Sequence, residues 1–258
     1  MYKFYSRNDI GAYEKVNDDK FMINGKIVES GDYSGKAQDY ISAVLCDGVG
    51  GETQGYRAAL KTLEVFKEIQ SENVDKEKIK DTAKKANSEV LKLQREENRE
   101  KGLKTTLAGI YANKDMFIYY NIGDSRVYRY RNGYLQRLTR DDSKVQEFID
   151  DGVLTPEQAF ESPLKNIITK CIGGQNKFEL NINSSKVGLM DGDVILLCSD
   201  GITDVIDDSS LKEIFDKKKT VEETLKEIHL TSLKNKSMDN MSLILIEKEK
   251  EANEWKKY

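Results

Sequence analysis

Four times this chain sets an apolar, β-prone stretch beside an Asp and a Gly or Asn. The segments are Val44-Leu45-Cys46-Asp47-Gly48, Tyr120-Asn121-Ile122-Gly123-Asp124, Leu197-Cys198-Ser199-Asp200-Gly201 and Met238-Asp239-Asn240. A fifth acidic cluster, Asn17-Asp18-Asp19, precedes the first hairpin pattern. A strand end holds a side chain rigidly, and a neighbouring Gly lets the backbone turn sharply beside it. Carboxylates converging from several strand ends repel one another unless a cation sits among them. Hard divalent cations such as Mg²⁺ and Mn²⁺ favour that oxygen-only shell. Taken singly, each Asp-Gly also reads as an ordinary turn dipeptide.

The pattern along the chain sets the fold class. Residues 20–29 read as a hairpin with Asn24-Gly25 at the turn, and 39–46 as a strand. Apolar positions at helical spacing (Ala59, Leu60, Leu63, Phe66, Ile69) predict a helix over 55–72. The charged stretch 76–99, with Ile79, Ala83, Val90 and Leu91, predicts a long helix with one buried stripe and one solvated face. Residues 106–139 predict an antiparallel meander, and 143–161 two short helices broken at Gly152 and Pro156. Strands over 178–182, 194–199 and 241–247 and helices over 209–217 and 220–233 complete the reading. Helices and strands come in blocks, so the class is α+β, most simply two packed sheets with helices outside. No linker or internal repeat divides the chain, which predicts a single domain over 1–258, with the last strand and a charged tail in 243–258.

Composition removes several chemistries. A single His, His229, argues against Ser-His-Asp and Cys-His triads and excludes any two-His metal site. It falls in a predicted helix, far in sequence from every acidic motif, and reads as a surface or helix-packing residue. Cys46, Cys171 and Cys198 form no CxxC pair; Cys46 and Cys198 sit in apolar runs as buried small hydrophobes. With 41 Lys+Arg against 45 Asp+Glu, the net charge of −4 offers no basic excess for nucleic acid. No 18-residue apolar stretch is present and the first residues lack the apolar core of a signal peptide, so a cytoplasmic protein is expected, with no membrane span. Dinucleotide, P-loop, calcium-loop and GxSxG patterns all fail on inspection. The chemistry is left to carboxylates, hydroxyls, Lys, Arg or a metal ion.

In order along the chain, the motifs resemble those of the metal-dependent type 2C Ser/Thr protein phosphatases, especially the compact bacterial members. Asn17-Asp18-Asp19 resembles the family's Asn-Glu-Asp segment, and Asp47-Gly48-Val49-Gly50-Gly51 its Asp-Gly-x-Gly-Gly signature. Thr105-Thr106, Gly123-Asp124-Ser125-Arg126, Leu138-Thr139-Arg140-Asp141 with Asp142-Ser143, Ser199-Asp200-Gly201 and Asp239-Asn240 follow in the family's order.

The resemblance implies an αββα four-layer sandwich, two antiparallel sheets flanked by helices, with two to three Mn²⁺ or Mg²⁺ ions in the cleft between the sheets. Asp47 would bridge two ions, Asp200 and Asp239 would complete one shell, and Asp18 and the Gly48 carbonyl would serve the other. Asp124 with Asp200 would hold a weaker third ion. Asp47, Asp200 and Asp239 are the implied catalytic residues, supporting attack by a metal-bridging hydroxide on phosphoserine or phosphothreonine. Implied partners are phosphoprotein substrates and a cytoplasmic Ser/Thr kinase whose action is opposed; the enzyme is expected to be a monomer.

The sequence also departs from the family pattern. Glu14 stands where the family carries a phosphate-gripping Arg, leaving Lys15 or Arg7 as the candidate cation. Asp142 stands at a common His position, Val49 replaces another His, and Asp18 is one methylene shorter than Glu. Glu14 and Asp142 motivate an alternative, a pseudophosphatase that binds phosphoproteins or a kinase without turnover. Residues 143–166 correspond to a flap beside the cleft, which either gates access or reads the substrate, or merely connects. The charged stretch 75–104 reads as a solvated helical face, and Trp255 as a cap on the domain surface.

Overall fold

The computed structural model describes residues 1–49, 54–71, 73–97, 102–174, 178–217 and 219–250. Gly50, Gly51 and Trp255 lie outside the described residues. The chain opens with β1 (Tyr2–Asp9), the hairpin β2 (Lys20–Ile23) and β3 (Lys26–Val28), then β4 (Gly31–Ala37), β5 (Tyr40–Cys46) and the short β6 (Gly48–Val49). Helices α1 (Gly55–Phe66) and α2 (Lys76–Glu96) follow, then β7 (Lys104–Thr105), β8 (Leu107–Asn113), β9 (Phe117–Ile122), β10 (Arg126–Arg131) and β11 (Tyr134–Arg137). The last part carries α3 (Lys144–Asp150), α4 (Pro156–Phe160), β12 (Asn181–Ser185), β13 (Val194–Cys198), α5 (Asp200–Thr203), α6 (Asp208–Asp216), α7 (Val221–Lys234) and β14 (Met241–Lys248).

Two six-stranded sheets result, ordered β11-β10-β13-β14-β1-β4 and β12-β9-β8-β5-β2-β3, with β6 and β7 forming a small ribbon. Every pairing between their strands is antiparallel. The two-residue period of a strand then builds the layers. On β5, Ala43 and Leu45 face the other sheet while Val44 and Cys46 face α1 and α2. On β13, Ile195 and Leu197 point inward while Leu196 and Cys198 face α5–α7. Three apolar layers therefore separate four structural layers, and each fully buried Leu or Ile contributes about 1.5–3 kcal/mol. Covering both faces explains why β5, β8, β13 and β14 read as continuous apolar runs.

The helices begin where the sequence supplies caps. Asp75 accepts from the Lys78 N–H at 2.8 Å, and Thr155 forms a capping box with Gln158. Pro156 opens α4 as its first residue, where its missing N–H costs nothing, and so starts that helix instead of breaking one.

The expected meander over 106–139 is corrected. β8 and β9 belong to one sheet, β10 and β11 to the other, and the chain crosses between them at Gly123-Asp124-Ser125. Alternation shows that a segment is a strand but does not say which sheet receives it. The strand expected at 178–182 lies at Asn181–Ser185, on a sheet edge where few buried side chains fix the register. β1 and β4 were not anticipated; β1 pairs with β14, whose residues lie at the opposite end of the sequence. At Met238-Asp239-Asn240 the strand follows the Asp instead of preceding it.

Candidate active site

The Asp motifs meet because central strands of both sheets end on one side of the sandwich. A cleft of about 730 Å³ is lined by Glu14, Lys15, Asp18, Asp47, Gly48, Val49, Asp124, Asp200, Asp239 and Asn240, with Asn166 and Ile168 on its far wall. Asp18 enters β2, Asp47 leaves β5, Asp124 sits on the crossover, Asp200 opens α5 after β13, and Asp239 precedes β14. Every residue named in the sequence reading as a ligand, and Lys15, thus lines one cleft.

Local packing explains the motif residues around them. Thr105 and Thr106 hold the Asp47 backbone: the Thr105 hydroxyl and the Thr106 N–H donate to its carbonyl, both at 2.8 Å. The Asp47 N–H donates to the Thr106 hydroxyl at 3.0 Å, which also bonds Ser125 at 2.7 Å. Gly48 is demanded by space, since a Cβ there would stand 2.3 Å from the Gly55 carbonyl carbon. That close approach brings α1 onto the cleft, where one Asp18 oxygen accepts from the Tyr56 N–H at 2.9 Å. Gly123 has φ +104, and a Cβ would stand 2.8 Å from the Thr106 methyl.

Asn240 fastens the loop at the cleft mouth. Its side-chain Oδ1 accepts from the Asp18 N–H at 2.7 Å, and its side-chain Nδ2 donates to the carbonyls of Ile10 at 2.8 Å and Val16 at 3.2 Å. The side chain following Asp239 is therefore structural. So is Arg126, which forks onto Asp141 at 2.7–2.9 Å and bonds the Tyr128 hydroxyl at 3.2 Å.

Two departures from the family pattern are resolved differently from the sequence reading. Asp142 does not line the cleft. It is 1% exposed, and its Oδ2 accepts from the Gly123 N–H and the Asn181 amide, each at 3.1 Å, so it holds the crossover from behind. Arg7 is removed as a candidate phosphate ligand, because it forks onto Asp32 with both bonds at 2.7 Å. His229 meets the helix-packing half of its expectation: it is 4% exposed on the buried face of α7, and it bonds Asp9 across 220 residues of sequence. The buried thiols of Cys46 and Cys198 meet their expectation, and burial pushes both well up.

The electrostatics of the cleft are those of crowded acids. Burial, then repulsion from Asp200, Asp19, Asp124 and Asp239, holds the Asp47 carboxyl well above its usual range. Asp200 is raised well above its range by burial and by Asp124, Asp239 and Asp204. Burial also pushes Asp124 and Asp19 up to about 7, and raises Asp239. Asp19 is the functional candidate that the sequence reading passed over. It is 1% exposed and accepts from the Ser199 hydroxyl at 2.7 Å, linking the two sheets beneath the cleft. A charged residue between the apolar β2 and a polar loop was the available signal.

These donors suit a divalent ion. The set is all oxygen, the carboxylates disfavour one another's charge, and one buried Asp200 oxygen has no hydrogen-bond partner. Among the described residues no three Asp, Glu, His or Cys side chains form a closed set of direct ligands.

The flap residues of 143–166 line a second cavity of about 640 Å³ between α3, α4 and the start of α6. It shares Asp124 and Asp200 with the cleft.

An αββα sandwich with this acidic cleft points to a class of hydrolase, and known proteins give the family. The protein phosphatase 2C family pattern matches residues 17–245. The chain is 28% identical over 251 residues to the serine/threonine phosphatase stp of Listeria monocytogenes, covering 94% of each protein. It is 26% identical over 247 residues to the serine/threonine protein phosphatase PstP of Mycobacterium tuberculosis, covering 94% of this chain and 44% of that one. In structure it matches Staphylococcus aureus Stp1 at a TM-score of 0.84 and 26% identity, covering 97% of this chain and 96% of that one. It also matches the PstP catalytic domain in complex with 2 manganese ions, at a TM-score of 0.78 and 24% identity, covering 96% and 99%. The chain belongs to the protein phosphatase 2C family. It is a Ser/Thr protein phosphatase of that type.

Proposed function

We propose that residues 1–258 form one catalytic domain that hydrolyses phosphoserine and phosphothreonine in proteins, using two to three Mn²⁺ or Mg²⁺ ions. The observation that carries this reading is the convergence of Asp18, Asp47, Asp124, Asp200 and Asp239 on one cleft. The manganese complex of the PstP catalytic domain supports it from a relative. In this reading Asp47 holds ions from one sheet and Asp200 and Asp239 from the other, with Asp18 and the Gly48 carbonyl beside Asp47 and Asp124 beside Asp200. Bound ions supply an acidified water and positive charge opposite the phosphoryl oxygens. Asp19, buried below, orients the acidic floor through Ser199. Lys15, exposed on the cleft mouth, steers and orients the phosphate as a point charge. No imidazole lines the cleft among the described residues, so the leaving oxygen takes its proton from water or a carboxylic acid.

The domain acts as a cytoplasmic monomer opposing a Ser/Thr kinase. No described helix is long and apolar enough to cross a membrane. The test is hydrolysis of an aryl phosphate and a phosphothreonine peptide with Mn²⁺ and with EDTA. Metal-dependent turnover that vanishes in Asp200→Asn supports the assignment; metal-independent turnover refutes it. One observation favours a phosphoprotein-binding role without turnover: Glu14 stands in the cleft mouth and its charge helps to raise Asp239. Tight phosphopeptide binding with no hydrolysis would establish that role.

A further inference from the structure

The only histidine sits behind the wall of the cleft, and both of its ring nitrogens are engaged. His229 Nδ1 is 3.1 Å from Arg7 Nη1, and Nε2 is 2.7 Å from Asp9 Oδ2. A guanidinium carries donors only, so Nδ1 must accept; the ring proton then resides on Nε2 and is donated to Asp9. Arg7 is itself held by its fork to Asp32 on β4. The charged groups around the ring are Arg7 and Asp9 of β1, Asp32 of β4 and Lys226 of α7. A fixed relay thus runs from Asp32 through Arg7 and His229 to Asp9.

Asp9 passes this order to the cleft. Its other oxygen, Oδ1, accepts from the Gly11 N–H at 2.9 Å and shapes the turn that follows β1. Gly11 has φ +80 and lies so close to the Asp239 carbonyl that a Cβ would stand 2.5 Å from that oxygen. Residues 10–16, which carry Tyr13, Glu14, Lys15 and Val16 into the cleft mouth, are therefore anchored twice. Asn240 ties them from inside, and the His229–Asp9 pair ties their base from outside. His229 does not line the cleft, so its influence on substrate runs through this loop.

We propose that His229 is a positioning residue for the substrate-facing loop 10–16, acting through Asp9 and the Gly11 turn. The proposal rests on the phosphatase reading above. Leu at 229 keeps comparable bulk and loses both hydrogen bonds. Gln at 229 keeps a donor that reaches Asp9. Asp9→Asn preserves the acceptor for Gly11 and turns an amide donor against the Nε2 proton, breaking the same link from its other side.

The experiment uses the full chain with two readouts. Steady-state kinetics on a phosphothreonine peptide in saturating Mn²⁺ separate KM from kcat. Hydrogen exchange of residues 10–16 is measured in EDTA, away from any bound ion. His229→Leu is expected to raise KM about tenfold, the fold-change of one lost hydrogen bond to a charged group, with kcat within about twofold. It is also expected to speed exchange at Gly11. His229→Gln restores both readouts to within about twofold of the parent, and Asp9→Asn reproduces the Leu variant. Should His229→Leu fail to fold, Asp9→Asn decides by the same criteria. Unchanged KM with unchanged exchange, a fall in kcat alone, or failure of Gln to restore either readout overturns the proposal. If the parent shows no metal-dependent hydrolysis, the phosphatase reading fails separately, and the exchange comparison still decides the role of His229.

Discussion

Replacing Asp124 by Asn tests the claim that the cleft is held under electrostatic tension when no ion occupies it. Asp124 is buried, and desolvation followed by the charge of Asp141 lifts it from an ordinary 3.8 to about 7. Below about pH 4 the folded and unfolded states both carry the proton, and the shift costs nothing. As pH rises from 4 to 7 the unfolded chain ionises while the folded one holds its proton, so stability falls; above 7 the loss is complete, at about 4 kcal/mol. Asn has the same shape and no charge, but its amide brings a buried donor that costs about 1–3 kcal/mol if unmet. The absolute gain is therefore smaller than the shift implies. The pH dependence is cleaner, since the cost of the amide does not titrate. Between pH 7.5 and pH 5 the advantage of Asp124→Asn over the parent in EDTA should shrink by about 2 kcal/mol. For a chain of this size that is ~4–8 °C in the difference between their Tm values. Thermal unfolding across that pH range reads it directly. Saturating Mn²⁺ should raise the parent's Tm and close the gap at pH 7.5, because an ion bound only to the folded state stabilises it by mass action. A gap in EDTA that does not change with pH would refute the reasoning.

Other outcomes follow from single contacts. Gly123→Ala should cost about 2–4 kcal/mol in urea unfolding, since it combines φ +104 with a Cβ 2.8 Å from Thr106. Asp142→Ala should lower stability by about 1–3 kcal/mol by stranding the Gly123 N–H, yet leave kcat/KM within about threefold below the unfolding transition. A collapse of kcat in the folded variant would return Asp142 to the reaction. Lys15→Ala should raise KM for a phosphopeptide about tenfold, and increasing salt should erase part of the difference between it and the parent.

Much of the site was legible in the chain because its chemistry is written in short local words. Asp47-Gly48, Gly123-Asp124, Asp200-Gly201 and Asp239-Asn240 each couple an acid to a residue that permits a turn, and each reached the cleft. The residues whose meaning changed are those whose partners are remote. Asp142 answers to the Gly123 turn and Asn181, Arg7 to Asp32 and His229, and His229 to Asp9. Nothing within a few positions of any of them announces these pairings.

The division between what was readable and what was not has one physical cause. Helix period, strand alternation, caps and turn dipeptides act over a few bonds, so sequence by itself determined all the helices but the short α5, most strands, the layered α+β class and the acid-bearing strand ends. Which sheet a strand joins depends on loop closure and on burial of faces supplied from elsewhere in the chain. That choice, made by the tertiary structure, split the expected meander at Gly123 and paired β1 with β14. It also made a lone histidine the neighbour of Asp9, 220 residues away in sequence.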